Sequence, residues 1–154
     1  MARRTGPGTS STSAERAPCF VDTNVLVYAF DRSGAAKAEA ARRLVTELMD
    51  TDRLRLSTQV LQELFVTLTR KAASRCTAAD ALAVLEDLAA WPLTVVDYPA
   101  LRSAASLSDR SRLSFWDALV VVTAATSGAS VLYTEDLNDG QEILGVRVRN
   151  PFTA

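Results

Sequence analysis

From Cys19 onward the sequence alternates short apolar runs with longer segments whose apolar residues recur at helical spacing. Strands separated by helices pair in parallel, because parallel neighbours need a crossover of a dozen or more residues, and a parallel sheet needs helices on both faces. Strands are expected at Cys19–Val21, Leu54–Ser57, 94–96, 129–134 and Val146–Arg149. Between them, 25–30 reads as a helical turn, and 34–50, 58–75, 77–88, 99–107 and 114–126 read as helices, the last ended by Gly128. The fold class expected is therefore α/β, a three-layer α/β/α arrangement with a central parallel sheet. At 154 residues the chain can bury one full core, so residues 19–154 are expected to form one domain. The stretch before it, MARRTGPGTSSTSAERAP, is too poor in apolar residues to bury area and reads as a disordered tail over residues 1–18.

Charge and composition then exclude whole classes of function. Seventeen bases against 18 acids give a net charge of −1, so polyanions are not held by bulk positive charge. Fifteen of the 17 bases are Arg, the side chain suited to forked phosphate contacts, and Lys37 and Lys71 are the others. The chain has no histidine, which removes Ser-His-Asp and Cys-His catalysis, histidine proton shuttles and every His-ligated metal. Cys19 and Cys76 lack CxxC spacing and read as reduced thiols, Cys19 in the core. No run approaches the ~18 apolar residues of a membrane span, and the N-terminal arginines precede no apolar stretch of a secretory signal. A cytoplasmic protein without membrane contact is expected.

Ligands of open parallel sheets bind outside the carboxyl ends of the strands. Asp22 follows the first strand, and Asp136 follows the strand that ends at Thr134. Either is equally suited to turn chemistry in Asp-Thr-Asn or Asp-Leu-Asn-Asp-Gly. Glu63 lies too deep in its helix to be a capping-box acid, since a cap at Ser57 or Thr58 would place that acid at Val60 or Leu61. It sits about 130° from the centre of the Val60, Leu61, Leu64, Phe65, Leu68 stripe, where a solvated charge is also ordinary. Asp117 fits a capping box with Ser114, yet the helix beyond it is apolar on every side, so this acid lies at the end of the core and needs a partner there.

Acids gathered at one edge repel one another unless a cation neutralises them. Without histidine or a suitably spaced cysteine the cation must accept oxygen ligands, which selects Mg²⁺, with Mn²⁺ able to substitute. Ca²⁺ suits the ligand type but no DxDxDG loop is present.

Four segments together, Phe20-Val21-Asp22-Thr23-Asn24-Val25-Leu26, Glu63 in the second long helix, Ser114-Phe115-Trp116-Asp117-Ala118, and Tyr133-Thr134-Glu135-Asp136-Leu137-Asn138-Asp139-Gly140, resemble PIN domains, particularly the VapC-type ribonuclease toxins of bacterial toxin–antitoxin operons. The resemblance covers about residues 19 to 152. It implies metal-dependent RNA hydrolysis by Asp22, Glu63, Asp117 and Asp136, as catalytic residues and metal ligands, with Asn24 and Thr134 in support. Glu135 and Asp139 lie close enough to Asp136 to be confused with it and are equally ordinary turn residues. The resemblance further implies a homodimer and a cognate antitoxin whose C-terminal segment covers the acidic pocket.

The corresponding chemistry is attack by a metal-activated water on an RNA phosphodiester, leaving a 5′-phosphate and a 3′-hydroxyl. Arg70, seven residues after Glu63 and about 20° round the same face, is placed to hold RNA phosphate with Lys71 and Arg75, although cations at a helix end also answer the dipole. Three other readings stand beside this one: a PIN nuclease of RNA processing rather than a toxin, a haloacid dehalogenase-type phosphatase, and a non-catalytic RNA-binding protein. The phosphatase type carries a second Asp two residues after its nucleophile, where this chain has Asn24, and the non-catalytic type lacks acids that are all present here.

Overall fold

The structure, a computed structural model, describes residues 16–70 and 76–153. Its centre is β1 (Cys19–Val21), buried along its whole length and paired in parallel with strands on both sides. On one side lie β2 (Leu54–Ser57) and β3 (Leu93–Thr94), and on the other β4 (Val131–Tyr133) and β6 (Val146–Arg149). A two-residue strand, β5 (Glu142–Ile143), pairs antiparallel to β6 and makes the sheet mixed, in the order β3-β2-β1-β4-β6-β5. Its brevity is why the sequence pattern does not announce it.

Among the described residues six helices cover this sheet: α1 (Thr23–Ala29), α2 (Ala36–Asp50), α3 (Thr58–Arg70), α4 (Ala78–Leu88), α5 (Tyr98–Ser111) and α6 (Phe115–Thr126). The chain steps outward from β1 to β2 to β3 through α1 to α4, then returns past β1 to β4 through α5 and α6. Right-handed crossovers in opposite directions place the two helix groups on opposite faces, which gives the expected three layers. Contacts agree, since α1 packs on α2 and α3, α3 on α4, and α5 on α6, while α3 and α6 both reach β2. Between the layers, Phe20, Leu26, Leu54, Leu56, Leu64 and Leu132 are fully buried, each worth about 2 kcal/mol relative to exposure.

Several boundaries differ from expectation for local reasons. The third strand ends at Thr94 rather than residue 96, because the Val96 N–H donates to the Thr58 hydroxyl instead of a neighbouring strand. Helix α5 starts on an Asp97 cap and runs to Ser111, through a polar segment that apolar periodicity does not mark, before Arg112 turns the chain at φ 59°. The fourth strand is limited to 131–133 because Ala129 still belongs to the end of α6. There the Ala129 N–H returns to the Ala124 carbonyl and the Gly128 N–H to that of Ala125, a Schellman closure that needs the left-handed φ of 80° glycine supplies.

Residues 1–15 and 71–75 lie outside the described residues, so Lys71, Arg75 and nearly all of the expected tail are not placed. Ala17 and Pro18, the end of that tail, are tied to the fold: the Ala17 carbonyl accepts from the Arg53 Nε, and that of Pro18 from the Ser130 N–H. Both cysteines are free thiols, Cys19 buried as expected. Among the described residues no helix is long and apolar enough to cross a membrane.

Candidate active site

The strand order reverses between β1 and β4, so the loops leaving these neighbours diverge and open a crevice at their carboxyl ends. Asp22 leaves β1 at that point, its N–H still donating to the Tyr133 carbonyl at 3.0 Å. Its side chain is only 5% exposed. One carboxylate oxygen takes the Thr23 N–H at 2.7 Å, capping α1, and the other takes the Thr134 hydroxyl at 2.9 Å. The turn role and the site role therefore coincide in one residue.

Asn24 and Thr134 join Asp22 to Asp136. The Asn24 Nδ2 donates to Asp136 at 2.9 Å and to the Thr134 hydroxyl at 3.2 Å, and it lies 3.4 Å from Asp22. Thr134, 1% exposed, also accepts the Asp136 N–H at 3.1 Å and so shapes the turn that presents this acid. The neighbouring acids separate cleanly from it. Glu135 pairs with Lys37 of α2 at 3.0 Å, and Asp139 caps the Asn150 N–H at 2.9 Å.

Glu63 enters from α3. The buried Ser57 hydroxyl accepts the Val60 N–H and starts this helix, which leaves Glu63 one turn beyond any capping role. Its carboxylate accepts from the Thr23 hydroxyl at 3.0 Å and from the Gln59 Nε2 at 3.0 Å. Asp117 enters from the first turn of α6, whose seven following residues are all buried. The cap of that helix is made by Ser114, whose hydroxyl accepts the Asp117 N–H at 3.1 Å.

Electrostatics tie the four acids together. Burial, with smaller contributions from the Asp136 and Glu63 charges, pushes the Asp22 carboxyl up to about 6 against the pull of its hydrogen bonds. Burial also raises Asp117, opposed by Ser114 and reinforced by Asp136 and Glu63. No ion pair reaches any of the four among the described residues, although Lys37, Arg43 and Arg147 pair with other acids. Among the described residues the site is thus an all-oxygen set of carboxylates that no ion pair neutralises.

Those features fit a hard divalent cation. Among the described residues no three acids stand close enough to form a metal cage by themselves, so water would have to complete the shell of any ion held here. The unpartnered, buried Asn24 Oδ1 leaves one further oxygen acceptor beside the acids.

Arg70 stands apart. It is the exposed last residue of α3, two turns beyond Glu63, and no described contact brings it to the acids. Two side chains to which the sequence reading gave no role belong to the site instead, Thr23 and Gln59 on Glu63, while Ser114 caps Asp117 as expected. Gln59 carries the one available signal, since it precedes Glu63 by four residues and shares its helix face.

The PIN domain family profile matches residues 19–138. Among solved structures, the chain is similar to VapC20 of Mycobacterium tuberculosis, a sarcin-ricin loop cleaving toxin, with 23% identity, a TM-score of 0.60, and coverage of 74% of this chain and 86% of that one. A toxin–antitoxin complex from Klebsiella pneumoniae matches at 18% identity and a TM-score of 0.66, over 88% of this chain and 99% of that one. DNA-bound VapBC from Salmonella typhimurium matches at 20% identity and a TM-score of 0.61, over 88% and 98%. These identities speak to the fold alone, and no curated protein matches by sequence. The profile spans well over half of the chain and takes in Asp22, Glu63, Asp117 and Asp136 in order, so the chain belongs to the PIN domain family.

Proposed function

We propose that the protein is a Mg²⁺-dependent endoribonuclease, the toxin of a toxin–antitoxin pair, acting in the cytoplasm. The observation that carries the reading is that acids from four separate elements, Asp22, Glu63, Asp117 and Asp136, lie within electrostatic reach of one another at the switch point of the sheet, with no ion pair to any of them among the described residues. Raised carboxyl pKa values gathered in a crevice are a mark of functional sites. The toxin role is supported by neighbours of the same fold described as a toxin or as a toxin–antitoxin complex. A homodimer, an antitoxin covering the acids, and phosphate contacts by Arg70, Lys71 and Arg75 complete the proposal.

Asp22, Glu63, Asp117 and Asp136 would hold Mg²⁺, or Mn²⁺ in its place. When bound, such an ion makes water a stronger nucleophile at neutral pH and offsets the charge that builds on the phosphate. The chain's own side chains prepare the rest. Thr134 and the Thr23 N–H keep Asp22 ionisable despite its burial, by hydrogen bonds that favour the carboxylate. Asn24 sets the distance between Asp22 and Asp136 and presents only donors to them. Thr23 and Gln59 fix the Glu63 carboxylate from two sides.

Incubating the purified protein with RNA tests the reading. Cleavage is expected with Mg²⁺ or Mn²⁺, silence in excess EDTA, and products bearing 5′-phosphate and 3′-hydroxyl ends. Undiminished cleavage in EDTA, or 2′,3′-cyclic phosphate ends, would overturn the metal–water chemistry. The toxin role predicts growth arrest on expression, relieved by a small protein encoded beside it.

A further inference from the structure

Gln59 is 4% exposed, and it is the one buried side chain of α3 that is not apolar. Its Nε2 donates to Glu63 Oε1 at 3.0 Å and to the Trp116 carbonyl at 3.4 Å. Both partners are acceptors, so the amide's two hydrogens must face them and its oxygen must point away. That oxygen, Oε1, is buried and has no donor among the described residues. A buried carbonyl without a partner is unfavourable, and an apolar residue of similar length would fill the same space without it. Fold stability alone therefore gives no reason for glutamine here.

Its two contacts supply a reason. Glu63 is held on its other oxygen by Thr23, so Gln59 completes the fixing of that carboxylate. Trp116 is the residue before Asp117, and its carbonyl belongs to the turn that presents this second acid. One amide thus spans the helices that carry Glu63 and Asp117, on opposite faces of the sheet.

We infer that Gln59 is a positioning residue that sets the spacing of Glu63 and Asp117 at the carboxylate site. The inference rests on the metal-dependent reading of that site. Two variants separate it from a packing role. Gln59→Met keeps length and burial but offers no donor. Gln59→Asn keeps the amide but is one methylene too short to span both acceptors.

Mn²⁺ binding, followed by titration calorimetry beside thermal melts of the metal-free protein, provides the readout. Mn²⁺ affinity is expected to fall about tenfold or more in both variants, the usual effect of removing a partner that orients metal-holding groups. The Gln59→Met melting temperature is expected to stay at or above that of wild type. Exposed Gln62→Met, about one turn from Gln59 on the same helix and without a described hydrogen bond to Glu63 or Asp117, is the control and leaves both measurements unchanged. Unaltered Mn²⁺ affinity in Gln59→Met and Gln59→Asn, whatever their melting temperatures, overturns this inference alone. A wild-type protein that binds no Mn²⁺ overturns the metal reading of the site and this inference with it.

Discussion

The Asn24 side chain donates to Asp136 at 2.9 Å, joining two residues 112 positions apart in the chain. The contact spans the crevice between β1 and β4, and it explains why an amide suits this place. A carboxylate at residue 24 would add a third negative charge against Asp22 and Asp136, whereas the amide offers donors to both. The phosphatase reading, which needs an acid here, finds no support in this geometry.

Asp22 makes the metal-free protein sensitive to pH. Its carboxyl is raised from the ordinary 3.8 to about 6 in the fold, chiefly by burial, so between these values the native state keeps a proton that the unfolded chain releases. Stability must therefore fall as pH rises from about 4 to about 6 and level off above. The rise corresponds to about 3 kcal/mol at about 1.4 kcal/mol per pH unit. Melts of the metal-free protein across this range should show the decline, and Asp22→Asn should flatten it. An Asp22→Asn profile parallel to wild type would assign the pH dependence elsewhere.

Asp117 and Ser114 should separate cap from charge. The Ser114 hydroxyl accepts a backbone N–H, which Asp117→Asn leaves in place. Ser114→Ala is expected to cost about 1 kcal/mol of stability. Asp117→Asn should cost less than that, or stabilise the metal-free protein by relieving repulsion from Asp136 and Glu63, while abolishing Mg²⁺-dependent cleavage. Full activity in Asp117→Asn would return this residue to a purely structural role.

Leu144 and Gly145 form the two-residue turn between β5 and β6, with φ of 51° and 77°. Both central residues are left-handed, as a type I′ hairpin requires, and a leucine is costly in that region whereas Asn or Gly is not. Leu144 is 49% exposed, so its side chain recovers little by burial. Leu144→Asn is expected to stabilise the protein by about 1 kcal/mol, read as a higher urea midpoint at unchanged slope.

Arg70 tests the RNA track. If it holds phosphate, Arg70→Ala should weaken RNA binding equally for all sequences and reduce the salt slope by about one, with Mn²⁺ affinity unchanged. Binding measured against salt in Ca²⁺, to prevent cleavage, provides the comparison. An unchanged slope would move the track towards Arg110 and Arg112, which precede the helix of Asp117.

The sequence by itself determined the alternation of strands and helices, because burial on both faces of a parallel sheet leaves short apolar runs that need no partner to be recognised. It also determined the local starts: Thr77 capping α4, Ser114 capping α6, and the all-round apolar run of α6 that had to be buried. The chemical type of the site was legible too, since a chain without histidine that places acids after its first and fourth strands has few alternatives to oxygen ligation. Tertiary structure alone decided how those acids are held. Hydrogen bonds such as Thr134 to Asp22, Thr23 to Glu63 and Gln59 to the Trp116 carbonyl join residues 112, 40 and 57 positions apart, where no local periodicity operates. It likewise decided which of Glu135, Asp136 and Asp139 faces the site, because within one turn the choice depends on Lys37, Asn24 and Asn150 arriving from elsewhere in the chain. Periodicity records which face is buried, but the partner that a buried polar group finds is fixed only when separate elements meet.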